Sequence, residues 1–233
     1  MKAVTEPVKH PAKFNADIMD VIAQIVFREV TSRDYEATYR VFDPFAGVGT
    51  IHRLRSTVLG VETFGFELEP EWAKQSPHTI VGDSRKIYAY FGEPLFDAIV
   101  TSPCYGNRMA DHHNAREGSK RNTYKHTLGR DLSEGSSAGM QWGDEYREFH
   151  EDVWAQCVKI LKPGGVFVLN MKDHVRKGAI QHVTDWHLEV LTGLGLEVEH
   201  SYWIEAKGNR QGENGDVRVD HETITVLRKP LDP

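Results

Sequence analysis

Cysteine and long apolar stretches are both scarce in this sequence, and each scarcity excludes a class of protein. Among 233 residues there are two cysteines, Cys104 and Cys157, too few for a disulfide framework and not spaced like paired zinc ligands. No apolar run approaches the ~20 residues of a transmembrane helix, and residues 1–15 lack the apolar centre of a signal peptide. The adjacent His112 and His113 have no carboxylate or cysteine at ligand spacing, so no metal site is predicted. We expect a cytoplasmic protein without a membrane span, from a bacterial or phage-infected cell.

Positive charge is also in short supply, but it is concentrated in one place. The chain has 28 lysines and arginines against 34 aspartates and glutamates, a net charge of −6. This balance argues against indiscriminate nucleic-acid binding. Residues 106–130, here called the basic segment, carry six of those cations against two acidic residues. A basic segment on an acidic body is what contact with a polyanion at one site requires.

The stretch with the clearest chemical meaning is Asp43-Pro44-Phe45-Ala46-Gly47-Val48-Gly49-Thr50, here called the glycine turn. It follows an apolar run at 40–42 that is typical of a buried parallel strand, and it precedes residues 51–59, whose apolar residues have helical spacing. A strand, a glycine turn and a helix form the first unit of a doubly wound α/β sheet. The turn lacks the GxGxxG spacing of dinucleotide sites and the Gly-Lys-Ser/Thr of a P-loop, so pyrophosphate and triphosphate ligands are not expected.

Polar side chains stand at the ends of four predicted strands. Asp43, Glu67, Asp83 and Ser102 each end an apolar run. Ligands of open α/β sheets bind at the carboxyl ends of the strands, so we expect these four side chains to converge. There, Glu67 is placed to accept both hydroxyls of a ribose, and Asp83 to accept from an adenine amine. Taken alone, each acid would equally fit a loop carboxylate or a helix cap.

Two motifs together identify a family. The glycine turn matches D-P-F-x-G-x-G-T completely, and Ser102-Pro103-Cys104-Tyr105, here called the catalytic motif, matches (D/N/S)-P-P-(Y/F) except at Cys104. The pair resembles the S-adenosylmethionine-dependent methyltransferases that modify exocyclic amines of nucleic-acid bases, and the likeness extends from Lys13 to Lys229. It implies a Rossmann-like class I methyltransferase fold: a doubly wound α/β architecture with a mostly parallel seven-stranded sheet and an antiparallel last strand.

The resemblance also implies which residues meet each ligand. Those that would hold S-adenosylmethionine are Lys13, Phe14, Asp43, Phe45, Gly47, Gly49, Thr50, Glu67, Asp83 and Ser84. The catalytic residues would be Ser102, Pro103 and Tyr105. Those that would contact DNA, either as a duplex with a flipped base or as a single strand, are Cys104, Asn107, Arg108, Arg116, Lys120 and Arg121.

We predict a single methyltransferase domain over residues 1–233. Residues 106–143, here called the insertion, directly follow the catalytic motif and show scant apolar periodicity, so no regular element is predicted there. A segment of this length without structure is usually functional or disordered. No separate target-recognition domain is apparent. Base specificity is therefore expected from the insertion and the glycine-rich loop at 207–216, or from a partner, unless the recognised sequence is short and relaxed.

The catalytic motif is suited to activating an amine. Methyl transfer from a sulfonium is an in-line displacement, which requires an aligned nucleophile with an available lone pair. The exocyclic amine of cytosine or adenine is conjugated with its ring. The Ser102 hydroxyl and the Pro103 carbonyl would hold its N–H groups and turn the lone pair towards the methyl group, while Tyr105 would stack on the flipped base. Among the resembling enzymes, serine at the first motif position is more frequent with N4-cytosine than with N6-adenine products, which slightly favours cytosine.

Three other functions stay open at this point. Cys104 follows a proline, as the nucleophile of cytosine C5-methyltransferases does, although their Glu-Asn-Val motif is absent. The acceptor amine would alternatively belong to RNA or to a protein glutamine. Against these, no RNA-binding appendage is recognisable, and glutamine enzymes usually resemble Asn-Pro-Pro-Tyr. The third is a binding module without catalytic activity.

Overall fold

Strands and helices alternate along residues 8–11, 14–32, 38–106, 124–206, 217 and 219–231, which are the residues that the computed structural model describes. The strands are β1 (Tyr39–Asp43), β2 (Val61–Glu67), β3 (Thr79–Val81), β4 (Phe96–Thr101), β5 (Leu161–Met171), β6 (His174–Arg176), β7 (Ala179–Gln181), β8 (Glu197–Glu205) and β9 (His221–Arg228). The α-helices are α1 (Ala16–Thr31), α2 (Leu54–Thr57), α3 (Pro70–Ala73), α4 (Ile87–Phe91), α5 (Tyr124–Leu128), α6 (Asp144–Ile160) and α7 (Val183–Gly193).

Seven strands form one sheet in the order β3-β2-β1-β4-β5-β9-β8. The first five are parallel to one another, and β9 runs antiparallel to both of its neighbours. The chain starts in the middle of the sheet, builds outwards to β3, and then returns across β1 to build the other half. This topology confirms the predicted fold class, including the antiparallel last strand.

Apolar side chains on the two faces of the sheet form separate cores. Successive residues of a strand point to opposite faces. In β4, Ile99 therefore packs in the core that contains α6 and α7, whereas Val100 packs in the core that contains α1. Strand segments that are buried on both faces are continuously apolar, which explains the apolar runs at 98–100 in β4 and 166–169 in β5.

The long helices begin and end close to the residues that the sequence predicted. The side chain of Asn15 accepts a hydrogen bond from the Ile18 N–H (2.8 Å) and caps α1. The apolar face of α1 is fully buried, as its spacing predicted. In α6, the buried face includes Cys157, which is a core residue.

The structure differs from the sequence prediction at several elements. The helix after the glycine turn begins as a 3₁₀ turn and ends at Thr57, because Gly60 (φ +79°) redirects the chain into β2. Residues 162–165 belong to β5, where they form an irregularity in its pairing with β4. The hairpin β6–β7 was not predicted. Nor was α5 in the insertion, where Tyr124 contributes to a small cluster with Trp72.

Two absences hold for the described residues. No helix among them is both long and apolar enough to cross a membrane. Within the same ranges, no three histidine, cysteine, aspartate or glutamate residues are grouped as metal ligands would be.

Candidate active site

A cavity of about 320 Å³ opens at the carboxyl ends of the parallel strands. Its wall is contributed by the glycine turn, the ends of β2 and β3, the catalytic motif, and residues 135–138 of the insertion. This is where an open α/β sheet binds its ligands. The predicted cofactor and catalytic motifs therefore border the same space.

The glycine turn is held in shape by Asp43 at the end of β1. The buried Asp43 carboxylate accepts from the Phe45 N–H (2.9 Å) and from the Thr101 hydroxyl (2.8 Å), which joins β1 to the end of β4. Burial raises the pKa of Asp43 to about 7, against the effect of these two donors. Gly47 has φ +54°, a conformation that favours glycine.

Glu67, at the end of β2, lies partly buried in the cavity wall and faces the glycine turn. Its carboxylate accepts from the Gly47 N–H (3.0 Å) and from the Glu69 N–H (2.8 Å). Burial raises the pKa of Glu67 to about 7, although both N–H groups favour the charged form. Two backbone donors leave some of the carboxylate's lone pairs available to a ligand.

The end of β3 contributes a second acid and a buried serine. Asp83 accepts from the Arg85 backbone N–H (3.0 Å) and from its guanidinium (2.7 Å). Despite its partial burial, these bonds lower the pKa of Asp83. The buried Ser84 hydroxyl donates to the Pro44 carbonyl, which ties this strand end to the glycine turn.

A cluster of four polar side chains surrounds the catalytic motif. Ser102 Oγ lies 2.8 Å from Tyr105 Oη, which donates to Glu222 Oε2 at 3.1 Å. Asn170 Nδ2 lies within 3.2 Å of all three groups: 2.8 Å from Glu222 Oε2, 3.0 Å from Tyr105 Oη and 3.2 Å from Ser102 Oγ. Asn170 is 1% exposed, and its Oδ1 is without a hydrogen-bond partner among the described residues. The motif is therefore joined to β5 and β9.

A buried chain of hydrogen bonds holds the backbone of the catalytic motif in place. Trp154 Nε1 donates to His187 Nδ1 (2.8 Å), so the proton of the neutral imidazole lies on Nε2. His187 Nε2 then donates to Tyr146 Oη (2.9 Å), which donates to the Cys104 carbonyl (2.6 Å). Burial lowers the pKa of His187 well below its usual value, which keeps the ring neutral. These hydrogen bonds fix the peptide group between Cys104 and Tyr105.

The Cys104 thiol is in a setting that disfavours its ionisation. It is partly buried and lies 3.5 Å from Tyr124 Oη, to which it donates. Burial raises the pKa of this thiol to about 11, and the nearby Glu67 carboxylate acts in the same direction. A nucleophilic cysteine requires the opposite shift.

The described part of the insertion folds back over the cofactor side of the cavity. Arg130 donates to the buried Glu69 (2.6 Å) and to Glu71 (2.6 Å), and Ser133 donates to Glu69 through its N–H (2.8 Å) and its hydroxyl (2.9 Å). Lys125 forms an ion pair with Asp131. Two of the six cations counted in the basic segment are thus paired within the chain, which reduces the charge that the segment offers to a polyanion.

The predicted site residues fall into three groups. Those that line the cavity are Phe14, Phe45, Gly47, Thr50, Glu67, Asp83, Ser84, Ser102, Pro103, Cys104 and Tyr105. Asp43 and Gly49 do not line it: Asp43 holds the glycine turn in shape, and Gly49 is part of that turn. Those that lie outside the described residues are Lys13, Asn107, Arg108, Arg116, Lys120 and Arg121, together with the loop at 207–216.

Among the polar cavity residues that sequence reasoning missed, Asn170 and Glu222 are the ones that contact the catalytic motif. Asn170 lies near the end of β5 and would have been found by the strand-end rule applied to the other four strands. Glu222 lies at the start of β9. In an antiparallel strand the amino end reaches this edge of the sheet. Finding Glu222 would therefore have required a search for polar residues at the start of the strand rather than at its end.

Fold and cavity together define the class of this protein: it has the Rossmann-like fold of the S-adenosylmethionine-dependent methyltransferases. Within this class, the chain belongs to the DNA methylase family N6_N4_Mtase, whose model matches residues 96–233, more than half of the sequence. A comparison with curated proteins finds no match.

Several solved structures share the fold at low identity. TrmN from Thermus thermophilus is 17% identical with a TM-score of 0.52; the alignment covers 90% of this chain and 48% of TrmN, so the chain spans about half of that protein. The N-methyltransferase NodS from Bradyrhizobium japonicum, solved with S-adenosyl-L-homocysteine, is 13% identical (TM-score 0.52; 93% and 89% covered). A SAM-dependent methyltransferase from Archaeoglobus fulgidus is 11% identical (TM-score 0.54; 90% and 94% covered).

Proposed function

We propose that this chain transfers a methyl group from S-adenosylmethionine to the exocyclic amine of a base in DNA, with N4 of cytosine favoured over N6 of adenine. The observation that carries the proposal is that the glycine turn and the catalytic motif border the same cavity. Membership of a DNA methylase family supports methyl transfer to DNA. The fold that the chain shares with NodS and the Archaeoglobus enzyme supports the cofactor.

The cofactor half of the cavity suits S-adenosylmethionine in shape and charge. Gly47, which has no Cβ, lets the ligand approach the turn, and Glu67 accepts the ribose hydroxyls with its remaining lone pairs. Asp83 accepts from the adenine amine while it stays paired with Arg85. The acidic lining favours a cationic sulfonium. Asp43 contributes by fixing the turn from behind.

The catalytic half offers acceptors, as an amine substrate requires. Ser102 Oγ and the Pro103 carbonyl border the cavity, and the buried Asn170 Oδ1 needs a donor that no other described residue supplies. An exocyclic amine carries two N–H donors. Held by such acceptors, its lone pair turns out of conjugation and towards the methyl group. A base inside a duplex must be flipped out to reach this depth.

Target contacts are assigned to the insertion within a single-domain chain. The Trp142 N–H donates to the Gly106 carbonyl (3.0 Å), so the two ends of the insertion meet beside the catalytic motif. Of its six basic residues, Arg108, Arg116, Lys120 and Arg121 remain as candidate phosphate contacts.

Incubation with tritiated S-adenosylmethionine and either DNA or RNA, followed by nucleoside mass spectrometry, tests the proposal. We expect label in DNA as N4-methylcytosine; N6-methyladenine would retain the reaction and change the base. Label confined to RNA or to protein, or found as 5-methylcytosine, would contradict the proposal.

A further inference from the structure

Glu222 is the one acidic side chain of the catalytic cluster, and it comes from a distant part of the chain. It is the second residue of β9, which pairs with β5 so that Ile224 lies opposite Asn170. This register brings the partly buried Glu222 carboxylate to the cavity wall beside Tyr105. Its Oε2 accepts from Tyr105 Oη (3.1 Å) and from Asn170 Nδ2 (2.8 Å).

Counting hydrogens gives the chain Ser102–Tyr105–Glu222 a direction. Tyr105 has one hydroxyl hydrogen, and it is directed to Glu222, because a carboxylate has none to donate. The 2.8 Å contact between the Ser102 and Tyr105 hydroxyls must then use the hydrogen of Ser102. Both hydroxyls donate towards Glu222.

Ser102 keeps acceptor capacity for the cavity. A hydroxyl oxygen has two lone pairs. The two hydrogens of Asn170 Nδ2 have shorter contacts with Glu222 Oε2 (2.8 Å) and Tyr105 Oη (3.0 Å) than with Ser102 Oγ (3.2 Å), so at least one lone pair of Ser102 is available to an N–H of the substrate. Burial raises the pKa of Tyr105 well above its usual value, so the phenol stays neutral and passes one proton on as it receives another.

We propose that Glu222 is the terminal acceptor of the proton that the substrate amine loses on methylation, and that it receives this proton through Ser102 and Tyr105. The inference rests on the proposed function. In the step, the N–CH₃ bond forms as the S–CH₃ bond breaks, and the electron pair of that bond stays on sulfur as a neutral thioether. One amine proton moves to Ser102 Oγ, the Ser102 proton to Tyr105 Oη, and the Tyr105 proton to the Glu222 carboxylate, which later releases it to water.

The proton relay through Ser102 and Tyr105 to Glu222 gives the methylated amine a way to lose its extra proton. A methylated amine that keeps both of its protons is a cation, whose charge is costly in a partly buried cavity. A carboxylate two hydroxyls away takes up that proton, and Asn170 Nδ2, which has two hydrogens to donate, lies within 3.2 Å of all three oxygens. Direct loss of the proton to water is the competing route, and the variants below separate the two.

The decisive variant is Glu222→Gln, measured by single-turnover methylation of DNA. Glutamine still accepts the bond from Tyr105 through its amide oxygen but does not take up a proton. We expect the methylation rate constant to fall about 100-fold, within the range typical of general acid–base catalysis. The KM for DNA and the Kd for S-adenosylmethionine should change by less than about twofold, because neither ligand loses a binding contact. Glu197→Gln is the matched control: it removes an exposed carboxylate from β8, outside the cavity, and should leave all three values unchanged.

Two further variants test whether a loss of activity comes from the broken relay or from misfolding. Tyr105→Phe breaks the relay at its middle and should lower the rate constant to a similar extent. Glu222→Ala should be inactive alone and regain activity with added formate, a carboxylate small enough to replace the missing group. Full activity in a folded Glu222→Gln enzyme would overturn the relay and assign Glu222 to the positioning of Tyr105 alone. Absence of formate rescue together with a raised KM would also overturn it.

The wild-type enzyme separates this inference from the proposed function. If wild type methylates DNA and Glu222→Gln is unimpaired, the relay is wrong while the function stands. If wild type, folded and bound to cofactor, methylates no DNA, the proposed function is wrong and the relay is wrong with it.

Discussion

Replacing Cys104 by alanine distinguishes amine methylation from cytosine C5 methylation. In the amine mechanism the thiol has no chemical role. The hydrogen bond of the thiol to Tyr124 Oη is long at 3.5 Å, and the hydrogen bond from Tyr146 holds the Cys104 carbonyl, which alanine retains. The C5 mechanism instead requires the Cys104 thiolate to attack the ring.

The structure sets the expected magnitudes. Because burial raises the pKa of the thiol to about 11, the thiol stays protonated near neutral pH. Under the amine mechanism we expect Cys104→Ala to keep its methylation rate within about threefold, or ~0.7 kcal/mol in barrier height. Removal of a true nucleophile costs several orders of magnitude in other enzymes.

Tritium transfer to DNA under single-turnover conditions provides the rate, with calorimetry to show that Cys104→Ala still binds S-adenosylmethionine. Cys157→Ala removes the other thiol, from the core side of α6, and is the matched control. DNA that contains 5-fluorocytosine should not trap wild type covalently. A folded, cofactor-binding Cys104→Ala enzyme without activity, or a covalent adduct with the fluorinated DNA, would refute the amine mechanism.

Three further outcomes follow from the same site. Gly47→Val should abolish S-adenosylmethionine binding in calorimetry, because valine is strained at φ +54° and its Cβ would project towards the ring of His10; unchanged affinity in a folded variant would contradict the cofactor assignment. Ser102→Ala should lower kcat by about 10²–10³ with little change in cofactor affinity, as removal of a hydrogen bond made in the transition state does, and a smaller loss would show that Pro103 suffices. Neutralising Arg116, Lys120 and Arg121 together should weaken DNA binding and flatten its dependence on log salt by roughly three units, without effect on cofactor affinity; an unaltered slope would exclude phosphate contacts at these positions.

The sequence alone determined the fold class and the strand-end placement of the cofactor residues. Both depend on local signals. A buried parallel strand is an apolar run, a glycine turn marks its end, and a polar residue after it stands at the ligand edge of the sheet by topology. These rules located Glu67, Asp83 and Ser102 without any knowledge of distances, and the structure brings all three to one cavity.

Short elements were predicted less well because they are stabilised by tertiary contacts rather than by their own sequence. The helix α5 has five residues, too few to be stable alone. It forms where Tyr124 packs in a cluster with Trp72 and where Arg130 meets Glu69. The insertion has no apolar periodicity from which such contacts could be predicted, so the sequence predicted no element there.

The polar partners of the catalytic motif were decided only by the tertiary structure. Ser102 and Glu222 are 120 positions apart, and they share a cluster because β9 inserts between β5 and β8 with its amino end at the ligand edge. Asn170 is directed at Tyr105 by the register of β5. The burial that keeps the Cys104 thiol protonated likewise comes from residues distant in sequence, among them Tyr124. Sequence spacing therefore determines which residues reach the edge of the sheet, whereas strand order, register and burial determine which of them meet and in what protonation state.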